Sequence, residues 1–226
     1  MGGEKKNKGW RRGRRTTATQ PVQMTSHLII CEGKQTEPLY FEGMKKALGA
    51  VNGRKLAVVV RGTGRHALDL LDCALDCCRY AAEIYDHVWL VFDRDDFPAA
   101  DFDVMERKCA ELSDSSRTFH ALWSNPCFEL WPLLHLNYST VPMNATGCQR
   151  QLASVLDREL GLTYWKNMGG LYEAFASRRG VAARNAKKLG VHHDALGEPK
   201  PSRRNPSTWV GEIFYELEPY LGNDLG

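Results

Sequence analysis

Apolar positions along the first two thirds of the chain alternate between two rhythms. Short runs of β-branched, aliphatic and aromatic residues occupy 27–32, 55–61, 87–93 and 118–124, each bounded by polar or turn-forming residues, and predict buried strands. Between them, apolar residues recur every three or four positions over 37–48, 65–83, 101–113 and 128–137, the spacing of one helix face. Strand and helix in alternation predict an α/β fold with a mostly parallel sheet covered by helices on both faces. From about 145 onward the pattern is helical only, over 147–160, 168–189 and 207–221, with Gly, Pro and Asn in the joints. The expected organisation is a basic tail over 1–24, an α/β core over 25–142 and a helical carboxyl-terminal region over 143–226 packed on that core.

The ends of the strands carry the chemistry. The run Val88-Trp89-Leu90-Val91-Phe92 breaks into Asp93-Arg94-Asp95-Asp96, so a buried strand delivers acids to the rim of the sheet. Side chains alternate along an extended chain, which turns Asp93 and Asp95 the same way. Two carboxylates held close repel unless a proton or a cation lies between them, and oxygen ligands of this kind suit magnesium. The run Leu28-Ile29-Ile30-Cys31 repeats the arrangement, ending in Glu32 and then Gly33, with Thr36 placed to cap a helix starting at Glu37 or Pro38. Glu32 thus stands at the carboxyl edge of the sheet, where open α/β folds bind ligands. Solvated turn acids are the alternative reading of each motif taken alone; the repetition favours a metal site.

Two further segments flank this edge. Arg61-Gly62-Thr63-Gly64-Arg65-His66 joins the second strand to its helix without the Lys-Ser/Thr pair of a phosphate loop. It reads either as a flexible connector or as a place where amides and Arg65 hold a phosphate. In Ser124-Asn125-Pro126-Cys127-Phe128-Glu129, Ser124 or Asn125 is placed to cap the following helix. Glu129 falls in the first turn, where the helix dipole favours negative charge. Its position at the same edge also makes Glu129 a candidate for the acidic cluster.

A chain of 226 residues can bury a substantial core. It has no apolar run of membrane-spanning length, and its first twenty residues are basic and polar rather than apolar, so a soluble, cytoplasmic protein without membrane attachment is expected. The seven cysteines lack paired metal-ligand spacing and read as free thiols in a reducing compartment. His135 lies in an apolar helical stretch, and His192 and His193 read as a Gly-bounded loop; none has the spacing of a metal site. Net charge is only +3, yet Lys5, Lys6, Lys8, Arg11, Arg12, Arg14 and Arg15 crowd the first residues around Trp10. That composition predicts a tail disordered in isolation, serving either to attract polyanions or simply to solubilise.

Four blocks resemble the RloB family, a Toprim-fold group associated with bacterial phage defence: Ile29-Ile30-Cys31-Glu32-Gly33 with Thr36-Glu37-Pro38 and Tyr40-Phe41; Val91 to Phe97; Ser124 to Trp131; and Asn205-Pro206-Ser207-Thr208. They run in family order over about 27–221. The resemblance implies a Toprim-like core in which a glutamate after the first strand and an Asp-x-Asp pair gather divalent metal for phosphodiester chemistry. Glu32 matches that glutamate, Asp93 and Asp95 the pair, and Glu37 a second acid that relatives space differently. On this basis the expected activity is a metal-dependent Toprim nuclease acting on RNA, transfer RNA included, or DNA, as an effector of anti-phage defence. Mg²⁺ or Mn²⁺ would be held by Glu32, Glu37, Asp93, Asp95 and Glu129, with Glu32, Asp93 and Asp95 catalytic. Lys34, Arg65, Arg94 and the tail residues Arg11, Arg12, Arg14 and Arg15 would contact nucleic acid. Relatives work with a separately encoded ATPase, and this chain has no Walker motif of its own. The competing expectation is a non-catalytic module that binds nucleic acid or the ATPase partner.

Overall fold

The computed structural model describes residues 25–52, 56–64, 67–82, 84–94 and 98–221. Four parallel strands, β1 (Thr25–Cys31), β2 (Leu56–Gly62), β3 (His87–Asp93) and β4 (Thr118–Asn125), alternate with helices α1 (Thr36–Asn52), α2 (Ala67–Tyr80) and α3 (Ala99–Leu112). A two-residue strand β5 (Ser207–Thr208) adds antiparallel to the end of β4, and the spatial order is β2-β1-β3-β4-β5. The fold is therefore mixed α/β with a mostly parallel sheet flanked by helices.

The middles of the strands are apolar on both sides because both sheet faces are covered. Ile29, Cys31, Trp89, Val91 and Leu122 turn to one face, under Tyr40, Phe41, Met44 and Leu48 of α1. Leu28, Ile30, Val88, Leu90, Phe92 and Trp123 turn to the other, under Leu70, Leu71 and Ala74 of α2 and Phe102, Met105 and Cys109 of α3. The carboxyl-terminal helices share the α1 face: apolar residues of α5 (Ala145–Leu160), α6 (Leu171–Phe175) and α7 (Arg179–Ala195) belong to the same core as α1. At the amino ends of the strands this face carries a row of rings instead of aliphatics. His27 stacks on His87 at 4.8 Å and Trp89 on His120 at 3.7 Å.

Beyond β4 the chain departs from the pattern its sequence suggests. The helix expected over 128–137 shortens to α4 (Leu130–Leu133): Pro132 has no amide hydrogen to give Phe128, and past Leu134 three-residue turns enter, His135 N to Pro132 O at 3.3 Å and Leu136 N to Leu133 O at 3.0 Å. Ser124 and Asn125 do not cap it: Ser124 Oγ pairs with Thr208 Oγ1 at 3.0 Å, and Asn125 Nδ2 donates to the carbonyls of Pro201 and Ser202. The helix expected over 168–189 breaks into α6, a 3₁₀ turn over Ala176–Arg178, and α7, which runs on through His192 and His193. The pair is thus helical, not a loop, and His193 is buried with Nε2 against the carbonyl of Pro206 at 3.0 Å. The expected helix over 207–221 is β5 followed by two short helices, α8 (Glu212–Glu216) and α9 (Glu218–Leu221). Its first two residues complete the sheet because they meet the otherwise open edge of β4.

No described helix is long and apolar enough to cross a membrane. The basic tail with Arg11, Arg12, Arg14 and Arg15, together with Arg65, Asp95 and Asp96, lies outside the described residues.

Candidate functional site

The strand order places a switch point between β1 and β3. The chain leaves β1 toward β2 on one side and crosses back to β3 on the other, so the connections diverge and open a crevice beyond the carboxyl ends of the two central strands. Glu32 leaves β1 and Asp93 ends β3 at that crevice. The Glu32 amide donates to Val91 O at 2.8 Å, continuing the ladder one residue past the strand, and Glu32 Oε2 accepts from the Asp93 amide at 3.1 Å. The neighbouring strand therefore orients the glutamate side chain.

Glu37 enters from the first turn of α1 and is buried at 7% exposure. Its carboxylate accepts from its own amide and from that of Gly33, as a first-turn acid does. A Cβ on Gly33 would fall 2.6 Å from Glu37 Oε1, so a larger residue there would push the carboxylate aside. Burial raises the Glu37 pKa above its ordinary value of 4.5, and Glu129 adds to the rise, while the two amides and Lys166 oppose it. Thr36, the first residue of the helix, does not cap through its oxygen; its hydroxyl donates to Asn167 Oδ1 at 2.9 Å.

Glu129 is 4% exposed, makes no side-chain cap on α4 and turns into the crevice instead. Tyr164 Oη donates to its Oε1 at 2.8 Å and Gln149 Nε2 to the same oxygen at 3.1 Å. Burial and the Glu129 charge together push the Tyr164 hydroxyl far above its usual pKa, which keeps it a donor. Cys127 lies beside these acids, its thiol raised by contact with Cys148, by burial and by the charges of Glu129 and Asp93.

One cleft of about 200 Å³ is walled by Glu32, Gly33, Lys34, Glu37, Asp93, Cys127, Glu129, Gln149, Lys166 and Asn167 among others. Of the expected residues, the fold brings together Glu32, Lys34, Glu37, Asp93 and Glu129; Arg94 is half-buried next to Asp93 but does not line the cleft. Gln149, Tyr164, Lys166 and Asn167 were not foreseen. They come from α5 and the irregular segment after it, and neither spacing nor composition of that segment marks them. Asn167 has φ 69°, a left-handed conformation that Asn tolerates better than most residues.

The donor chemistry fits a hard divalent cation. Four carboxylates share a confined cleft, and two of them, Glu37 and Glu129, are buried where like charge is costly. As the side chains stand, no three His, Cys, Asp or Glu groups among the described residues converge into a metal-binding cluster. Asp95, the second member of the expected pair, lies outside that set.

No curated protein and no solved structure matches the chain. One family model does, described as RloB-like protein, and it covers residues 27–217. That span begins in β1, ends at Leu217 after α8, and takes in every cleft residue named above. The chain belongs to the RloB-like family.

Proposed function

We propose that the chain is a metal-dependent nuclease that hydrolyses phosphodiester bonds in RNA or DNA at the cleft between β1 and β3. The observation that carries this reading is the gathering of Glu32, Glu37, Asp93 and Glu129 around one cleft at the switch point of the sheet. Asp93 and Glu32, with Glu37 and Glu129 behind them, would hold Mg²⁺ or Mn²⁺. A bound ion of this kind polarises a phosphoryl oxygen and lowers the pKa of an attacking water.

The chain's own groups have separable tasks. Glu32, whose Oε2 accepts from the Asp93 amide, would take a proton from the attacking water at its carboxylate. A positioned base of this kind contributes about 10²–10⁴ in rate. Tyr164 and Gln149 fix one oxygen of Glu129, leaving that carboxylate a defined direction into the cleft. Lys34 and Lys166 line the cleft and supply positive charge for a phosphate entering an acidic site.

The family resemblance extends the proposal to biology: an effector of anti-phage defence, cytoplasmic, working with a separately encoded ATPase, with transfer RNA among its substrates. The test is incubation of the pure protein with labelled RNA and DNA in Mg²⁺, Mn²⁺ or chelator. Cleavage that requires metal and disappears in Asp93→Ala supports the reading; metal-independent cleavage, or full activity in the variant, overturns it.

The absence of a converged three-ligand cluster among the described residues favours a second reading, a non-catalytic module whose acidic cleft receives a basic partner surface. Retention of tight partner binding with no cleavage under any metal would select it.

A further inference from the structure

Charge is segregated along residues 25–226 of the sequence. Between 178 and 204 there are eight Lys and Arg against two acids, whereas the remainder of 25–226 holds fifteen against twenty-four. A polyanion approaching the carboxylate cleft meets an acidic body unless a cationic surface captures it first. We propose that the outer face of α7 is that surface, a nucleic-acid-binding exosite that anchors the sugar-phosphate backbone away from the cleft. The proposal rests on the nuclease reading for the identity of the polyanion.

The face is built by helical spacing. Arg184, Lys187, Lys188 and Val191 are exposed on α7, while Ala182, Ala183, Ala186 and Leu189 are buried beneath them. With His192 and Tyr138 they line a shallow groove of about 550 Å³. Lys188 Nζ stands 5.8 Å from the centroid of the Tyr138 ring, and Tyr138 is 41% exposed. Cations interleaved with an accessible aromatic ring are the makings of a single-strand nucleic-acid surface, where phosphates take the charge and a base takes the ring. Of the described acids near the groove, Asp194 is paired with Arg204 at 2.7 Å, Glu212 lies within the electrostatic reach of Lys187, and Glu218 shares the surroundings of Tyr215 with Glu212 and Arg184.

The same element is tied to the cleft. Asn185 Nδ2 donates to Leu134 O at 2.8 Å, directly after α4, and the residue before α4 is Glu129 of the cleft. Five residues thus separate the helix that would grip the backbone from the acid that faces the scissile bond. A strand held on α7 is held at a fixed offset from the carboxylates.

The experiment measures binding of a fluorescein-labelled single-stranded RNA to the full-length protein in chelator, across a salt series. Binding is thereby read without any dependence on cleavage. Arg184→Gln/Lys187→Gln/Lys188→Gln is expected to lower the slope of log affinity against log salt by about 2, near 0.7 for each lost phosphate contact on a single strand, and to weaken binding at least about tenfold. Arg79→Gln/Arg107→Gln/Lys108→Gln removes three exposed or half-exposed cations from α2 and α3 and is expected to leave the slope unchanged. Far-UV circular dichroism and melting check both folds, and if the α7 triple variant does not fold, Lys187→Gln and Lys188→Gln singly are each expected to lower the slope by about 0.7. An unchanged slope in the α7 variants, or an equal fall in the control, overturns the exosite. So does a charge dependence seen only with anionic vesicles or an acidic peptide and not with RNA. RNA binding that follows α7 while no metal gives cleavage would keep the exosite and remove the nuclease reading; cleavage with an α7-independent slope would do the reverse.

Discussion

At the carboxyl ends of β1 and β3 the chain gathers Glu32, Asp93, Glu37 and Glu129 around a cleft, while at the amino ends of β1, β3 and β4 His27, His87 and His120 stack with Trp89. Both clusters are polar groups set at the margin of an apolar sheet, and their partners differ in kind. At the histidine end the rings bond to one another and to near neighbours. Trp89 Nε1 donates to His27 Nδ1 at 3.1 Å, His27 Nε2 meets Thr25 Oγ1 at 3.0 Å, and His87 bridges His120 at 3.1 Å and Glu216 at 3.3 Å. With Nδ1 committed as an acceptor, His27 has no place for a second proton, and burial lowers its pKa to about 3, with His87 adding to the fall and Asp86 opposing it. His120 falls to about 4, chiefly through burial and then through His87. The carboxylate end is the converse, with acids facing acids, and burial together with Glu129 raises the Glu37 pKa. One end joins its polar groups to one another, and the other sets like charges side by side.

The largest consequence concerns activity. Asp93→Asn is expected to reduce metal-dependent cleavage by at least about two orders of magnitude, a few kcal/mol in the barrier, while His120→Gln at the other end leaves single-turnover rates essentially unchanged. Equal losses in the two variants, measured on labelled substrate at saturating Mg²⁺, would erase the distinction between the ends. Next in size, Glu32→Gln keeps the side-chain shape but removes the proton acceptor, and a loss on the order of 10²–10⁴ that added metal does not restore is expected. Recovery at high Mg²⁺ would make Glu32 a ligand only.

The pH response of stability should have opposite signs at the two ends. A histidine whose folded pKa is depressed contributes stability above its unfolded value of 6.5 that is lost as pH falls toward 4 and 3. The chain should therefore lose on the order of a few kcal/mol between about pH 6.5 and 4. His27→Gln, which keeps an acceptor for the Trp89 indole, should flatten that descent in urea unfolding followed across pH; an equally steep descent would clear His27 of responsibility. The smallest effect belongs to Glu37. A carboxyl with a raised folded pKa is harmless below its unfolded value of 4.5 and costs stability as pH rises through the folded value. Glu37→Gln should thus raise the apo melting midpoint at pH 8 by a few degrees, corresponding to roughly 1 kcal/mol, and abolish part of the stabilisation that Mg²⁺ gives the parent. A lower midpoint in the variant would mean that the amides of Gly33 and Glu37 outweigh the like charge of Glu129.

Local sequence determined the alternation of β1 to β4 with α1 to α3, because a strand covered on both faces must be apolar throughout and a helix covered on one must be apolar every third or fourth residue. It also determined that Glu32 and Asp93 stand at strand ends, since a buried run can only shed its first charged residue where the sheet stops. What it did not determine was who meets them there. Glu129 was legible as a first-turn acid, but its release from capping and its bonds to Tyr164 and Gln149 depend on α5 and the segment after it folding back over the α1 face. Lys166 and Asn167 lie in a stretch with no periodicity to read. Ser207 and Thr208 resembled the start of a helix until the open edge of β4 offered backbone partners that a helix does not supply. Elements came from interactions between residues a few positions apart, which a pattern records. The cleft came from contacts such as Glu32 with Asp93 and Thr36 with Asn167, whose partners only the packed chain selects.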